Sequence, residues 1–301
     1  MYPKRVYLKY HSGGAGKWVY EGYRRAWESL GHATVYYHHS LEEIKEEKDS
    51  YYVMAIDGDV NTKEALNVVI NSSKTFLFAQ PNEFPPPWGT HPNFGCHCPI
   101  EFINELNELD NVFLWSFGRT SKFHTQWKEL NYIPLAFDHL GYTPQADSTY
   151  EYDVCFIGGW ADNGFNEKRN IMIEHFNEVQ KLGIKMGMSI NQDISNQDEA
   201  NLLYNSKIAL NLHDQYQRVL GHDVNERTFK SLGLNGFLIC DKVTEVNRLF
   251  PDVPTAATPA EYVELIRKYL STPLDEIKER NKQKILDKHT YVNRVESLLA
   301  L

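Results

Sequence analysis

The chain has 301 residues, a formal net charge of −9, 42% hydrophobic and 24% charged residues. The length fits two domains of about 150 residues each, and the composition excludes a chain that is mainly disordered. The acidic balance weighs against a nucleic-acid partner, and no apolar run approaches the roughly 20 residues that a membrane-crossing helix needs.

The opening residues, MYPKRVYLKYHSGG, hold no apolar signal-peptide segment, and four cysteines make no disulfide scaffold. A cytoplasmic, reduced location is therefore expected. Aromatic residues reach 13%, enough to supply both core volume and rings for stacking on flat ligands.

The first half alternates strand and helix. Residues 4–10 read as a strand, 11–16 as a Gly-rich turn and 17–30 as a helix, with Val19, Tyr23, Trp27 and Leu30 at helical spacing and Gly31 at its end. Strands follow at 33–37, 51–56, 75–79, 111–116 and 132–136, with helices at 62–70 and 121–130. Between Gln80 and Pro99 the sequence is too rich in Pro and Gly for a regular element; a long loop of this kind inside a domain points to function. Residues 139–150 are polar and aperiodic and read as a linker. The alternation then restarts, with strands at 152–157, 184–190, 208–212 and 237–240 and helices at 166–182, 198–205, 225–233, 243–250, 259–270 and 274–299. Strands alternating with helices predict two α/β domains with mainly parallel sheets, residues 1–138 and 151–301.

In such sheets ligands bind beyond the carboxyl ends of the strands, so the informative residues follow strands. His11, Ser12, Gly13, Gly14, Ala15, Gly16 and Lys17 form a Gly-rich loop before a helix. It lacks the Walker A spacing, because His11 and Trp18 stand where Gly and Ser or Thr belong. Gly13, Gly14 and Lys17 are candidates for a phosphate or acceptor loop; a plain tight turn is the alternative. Asp57 and Asp59 end a strand as a candidate base or metal pair, or a routine turn. Cys96, His97 and Cys98 are too closely spaced for a structural zinc site, and His38 and His39 read as an exposed strand end. Cys155 and Cys240 lie in predicted strands and read as core. Asn225, Glu226 and Arg227 open a helix after a polar loop. There a cation and helix N–H groups suit a diphosphate, and Glu226 suits sugar or ribose hydroxyls. An N-cap with a surface ion pair is the alternative. Trp88, Phe94 and Trp160 lie on predicted loops, whereas Tyr152, Phe156 and Phe229 read as core.

Over residues 152–301 the chain resembles the C-terminal domain of group 1 glycosyltransferases, in the branch of spore-maturation-type proteins. The stretches that carry the resemblance are YDVCFIGG (152–159), LLYNSKIALNLH (202–213), NERTFKSLGLNGFLICD (225–241), TPAEYVELIRKYL (258–270) and HTYVNRVESLL (289–299). The first domain is similar only in outline, YIPLAFD (132–138) included. The resemblance implies the GT-B fold, two Rossmann-like domains facing a cleft. It implies a nucleotide-sugar donor held mainly by the second domain, no cofactor, and usually no metal. Arg227 matches the family's arginine and is expected at the diphosphate. Where the family often has Glu in an R-x-F-E pattern, this chain has Lys230, which removes a carboxylate and adds a cation.

The expected donor set is therefore Gly158, Gly159, Asn211, His213, Asn225, Glu226, Arg227 and Lys230. In an inverting reaction His11 is the first candidate base, because its ordinary pKa suits neutral pH, and Asp57 the second. The acceptor, whether saccharide, lipid-linked or protein, is not specified by the sequence. A nucleotide-sugar epimerase and a non-catalytic nucleotide- or sugar-binding protein are the competing readings.

Overall fold

A computed structural model of the chain describes residues 3–31, 33–79, 84–89, 98–119, 126–160 and 167–301. Two compact units emerge: residues 1–134 with 291–301, and residues 135–290.

The first unit carries a six-stranded parallel sheet in the order β2-β1-β3-β4-β5-β6. Its strands are β1 (Arg5–Lys9), β2 (Thr34–His38), β3 (Tyr52–Ile56), β4 (Lys74–Phe78), β5 (Val112–Ser116) and β6 (Asn131–Tyr132). Helices α1 (Gly14–Gly31), α2 (Lys63–Asn71) and α3 (Ile100–Leu106) connect them. Strand β3 is buried except at its ends, as expected for a central strand covered on both faces. Val53, Ala55, Leu66, Val69 and Leu77 form one core with Leu41 and Leu114. Thr62 caps α2 by accepting the N–H of Ala65, the start that its sequence announces.

The second unit holds a five-stranded parallel sheet in the order β11-β10-β9-β7-β8. Its strands are β7 (Val154–Gly158), β8 (Met186–Ile190), β9 (Ile208–Asn211), β10 (Leu238–Asp241) and β11 (Thr255–Ala256). The helices are α4 (Lys168–Gln180), α5 (Asn196–Asn205), α6 (Gln215–Leu220), α7 (Glu226–Leu234), α8 (Thr244–Leu249), α9 (Pro259–Leu270) and α10 (Asp275–Lys288). Strands β9 and β10 are buried throughout, and apolar layers lie on both faces of the sheet.

The predicted alternation holds, with differences that have local causes. Helix α1 starts three residues early and takes Gly14, Ala15 and Gly16 into its first turn. The short α3, α6 and β11 carry too little periodicity to be read in advance. The predicted helix 274–299 is two helices, α10 and α11 (Tyr291–Leu299). The break falls where Phe137 donates its N–H to the His289 carbonyl at 2.8 Å and Phe137 bridges Thr290. Helix α11 then joins the first unit: a Cβ at Gly22 of α1 would overlap the Tyr291 ring, and the rings of Tyr23 and Tyr291 lie 4.9 Å apart. The second unit therefore ends at Thr290 and not at the chain terminus, and the division falls at 134–135 rather than within 139–150.

Residues 80–83 and 90–97 of the predicted loop, with Phe94, Cys96 and His97, lie outside the described residues, as do residues 121–125 of the predicted helix. Residues 126–130 are not helical. Among the described residues no helix is long and apolar enough to cross a membrane.

Candidate functional site

In each sheet the first strand lies between strands reached in opposite directions, which creates a crevice at the carboxyl edge. In the first unit this switch point lies between β1 and β3, and in the second between β7 and β9.

In the second unit, Gly158 ends β7 and Asn211 ends β9, so the two flank the crevice. Gly158 has φ +152°, and a Cβ there would overlap the Arg227 guanidinium. Only glycine combines that backbone angle with that approach. The guanidinium lies 5.0 Å from the Phe156 ring centroid and donates Nη1 to Asn211 Oδ1 at 3.2 Å. It forms no ion pair among the described residues. Burial pulls its pKa below the ordinary value. Asp214, Glu199 and Glu226 act on it only from a distance, and a half-buried cation without a direct ion pair is suited to an anion.

A second cation lies nearby that sequence reasoning missed. Lys168 is the first residue of α4, almost fully buried, with Nζ 3.5 Å from Asp214 Oδ1. Burial, and Arg227 in part, outweigh Asp214 and lower its pKa to about 8. The N-cap of α4, Glu167, makes no side-chain cap hydrogen bond, and the first turn has no acidic residue, so the end N–H groups add to the positive field. The only sequence signal was a lysine opening a helix after a glycine turn.

Asn225 is the N-cap of α7, its Oδ1 accepting the Thr228 N–H at 3.2 Å. Gly159 permits the close approach of Asn191, whose Oδ1 accepts the Trp160 N–H at 3.0 Å.

His213 is fully buried. Its Nδ1 lies 2.7 Å from Asp241 Oδ1, its N–H donates to both Asp241 oxygens, and its Nε2 is 3.4 Å from Thr228 Oγ1. Burial raises the Asp241 pKa, but His213 and Arg218 prevail and hold it at about 2. Cys240 Sγ completes a His–Cys–Asp group whose ligand atoms lie within 4.8 Å of one another. The thiol is 3.4 Å from Asp241 Oδ1, and burial pushes its pKa well up. These atoms form a hydrogen-bonded network that braces β9 against β10.

Lys230 turns away from this cluster of cations. It is buried, with Nζ 3.1 Å from both Glu199 carboxylate oxygens and 3.6 Å from Glu226 Oε2, and Tyr142 donates its hydroxyl to Glu199 at 3.1 Å. Burial alone would lower the lysine pKa; Glu226 and Glu199 hold it far above the ordinary value. Burial raises the Glu226 pKa, partly offset by Lys230. Lys230 is thus the countercharge of two carboxylates.

In the first unit, His11 follows β1 and Asp57 follows β3, on the two sides of that switch point. His11 is half-buried, with its ring 4.6 Å from that of Tyr20 and its Nε2 without a hydrogen-bond partner among the described residues. Burial and Lys9 lower its pKa against the pull of Asp59. Asp57 is buried and accepts the Gly58 N–H, while Asp59 pairs with Lys9 Nζ at 2.6 Å. Gly13 and Gly14 are exposed with open space beside them, and Lys17 is exposed with Nζ 5.5 Å from the Trp18 ring centroid.

Two parallel sheets with their helices, each with its own switch-point crevice, define a GT-B glycosyltransferase fold. Solved structures share it at low identity. T4 phage BGT in complex with its UDP-glucose substrate is 11% identical with a TM-score of 0.60, covering 97% of this chain and 96% of that one. An alpha-glucosyltransferase in complex with UDP-glucose and DNA containing an abasic site is 11% identical with a TM-score of 0.58, covering 95% of each chain. AviGT4, a glycosyltransferase involved in avilamycin A biosynthesis, is 12% identical with a TM-score of 0.51, covering 99% of this chain and 96% of that one. No curated protein matches the sequence. The sequence model of the glycosyl transferase-like family matches residues 123–300, and the chain belongs to that family.

Proposed function

We propose that the protein transfers a sugar from a nucleotide-diphosphate donor to an acceptor hydroxyl without a bound metal. The observation that carries this reading is the Arg227 guanidinium, without a direct ion pair among the described residues at the β7–β9 switch point, with Lys168 nearby. The C1–O bond to the diphosphate breaks, and Arg227 and Lys168 stabilise the negative charge that grows on the departing oxygen. Two cations and two helix N-termini supply the charge that a metal supplies elsewhere. Gly158 and Gly159, expected to admit the donor, instead make room for the Arg227 guanidinium and the Asn191 side chain, and Glu226 accepts the donor's hydroxyl groups. In an inverting reaction His11 takes the acceptor proton. Its lowered pKa keeps it neutral, and so able to accept a proton, at neutral pH. The UDP-glucose bound by T4 phage BGT makes UDP-sugars the first donors to assay.

Arg227→Ala tests the reading. UDP binding, measured by calorimetry on the folded variant, is expected to weaken by about 1.5–3 kcal/mol, the worth of a hydrogen bond to a charged group. Unchanged affinity removes Arg227 from the site. Donor hydrolysis that persists in EDTA checks the metal-free chemistry.

A further inference from the structure

Asn211 was expected to touch the donor, but the structure leaves it no group with which to do so. The residue is fully buried. Its Oδ1 accepts from Arg227 Nη1 at 3.2 Å and from Asn225 Nδ2 at 3.2 Å, and its Nδ2 donates to Asn225 Oδ1 at 2.9 Å and Thr228 Oγ1 at 3.0 Å. A side-chain amide offers two donor hydrogens and two acceptor lone pairs, so all four are engaged. The backbone is held as firmly: the Asn211 carbonyl accepts the Tyr262 hydroxyl at 3.2 Å, and that hydroxyl also reaches the Ile239 carbonyl at 3.3 Å.

These contacts join three elements at one side chain. Asn211 ends β9, Asn225 caps α7, and Arg227 is the second residue of α7. The paired amides of Asn211 and Asn225 fix the start of the helix to the end of the strand. The same Asn211 oxygen then fixes the guanidinium on one side, while Phe156 and Gly158 of β7 bound it on the other. Arginine has five N–H donors; among the described residues Asn211 takes one and no carboxylate takes any, which leaves the others for a ligand.

We propose that Asn211 is a positioning residue: it holds the Arg227 guanidinium in one fixed geometry and acts on the donor diphosphate only through Arg227. This rests on the diphosphate reading of Arg227. A long, flexible side chain held in place in advance binds its ligand without the loss of freedom that ordering it would entail.

A double-mutant cycle read by UDP calorimetry tests the proposal, with a cooperative melting transition required of each variant. Asn211→Ala is expected to weaken UDP binding about 3- to 10-fold, the scale of one net hydrogen bond. In the Arg227→Ala background the same change is expected to have no further effect, because its route to the ligand is gone. Losses that simply multiply in the double variant overturn the proposal, since a general structural role does not depend on Arg227. Should Asn211→Ala not fold, Asn211→Asp keeps the shape but sets a carboxylate against the guanidinium. It is expected to weaken UDP binding at least as much, again only while Arg227 is present; an equal loss without Arg227 overturns the proposal. If Arg227→Ala alone leaves UDP affinity unchanged, the diphosphate reading itself fails, an outcome distinct from multiplying losses.

Discussion

Lys168 is expected to make donor binding dependent on pH in a range where the donor's diphosphate does not titrate. Its ammonium is held at about 8 against an ordinary 10.5 because it is buried. A diphosphate placed beside it favours the charged form and drives the pKa back up. Free protein thus loses the proton near pH 8, whereas the complex keeps it to a higher pH, and binding takes up a proton between the two values. If the complex regains the ordinary value, affinity falls by about tenfold between pH 7 and pH 9, by linkage. UDP-glucose is a suitable probe, because its diphosphate has no group that titrates there. Calorimetry at both values, in buffers of different ionisation enthalpy, reads the affinity and the proton uptake together. Lys168→Arg keeps the charge but has no titration in range, so its affinity stays level. A flat profile in the native protein, or the same fall in Lys168→Arg, refutes the reasoning.

Two further outcomes concern stability. Lys230→Met leaves Glu199 and Glu226 buried without their cation and is expected to destabilise the fold by about 3–5 kcal/mol in denaturant unfolding, with part of the loss recovered when Glu199→Gln is added; a loss under 1 kcal/mol contradicts the ion cluster. His38 is fully buried, and burial, against Asp59, lowers its pKa to about 4 from 6.5. The unfolded chain therefore takes up its proton first, and stability present above pH 6.5 erodes as pH falls towards 4, by up to about 3 kcal/mol. Melting curves at pH 7 and pH 4.5 should converge for His38→Asn relative to the native protein; an unchanged difference assigns the acid sensitivity elsewhere.

What the sequence disclosed, and what it hid, follows from the range of the interactions involved. Alternating patterns are local, and β1, α1, β3, α2, β7, α7 and α9 follow from them to within a few residues. Caps are local too: Thr62, Asn225 and Thr258 each cap the helix their sequence announces. Arg227 could be singled out because it opens a helix after a strand and matches the arginine of the family the sequence resembles. Lys168 could not, because its environment comes from Asp214 at the start of α6, 46 positions along the chain. The same holds for Lys230: nothing local says that Glu199, from α5, will meet it. Asn211 was expected to contact the donor, and its full burial could not be foreseen, since that is a property of the assembled sheet and not of LNLH. The break before α11 was hidden for the same reason, because Phe137, which fixes it, lies more than 150 residues earlier.

That break also governs how the molecule can be taken apart. Because α11 packs in the first unit, the second unit is an insertion within the first, and the chain crosses between them twice. A truncation at residue 134 would remove Tyr291 from its place against Gly22 and Tyr23, so the first unit made that way lacks part of its own core. Residues 135–290, by contrast, begin and end on neighbouring backbone, where Phe137 bridges Thr290. A gene that excises this segment and joins residue 134 to 291 through a short linker, beside one that expresses 135–290 alone, respects the way the chain is folded; a conventional cut into amino- and carboxyl-terminal halves does not.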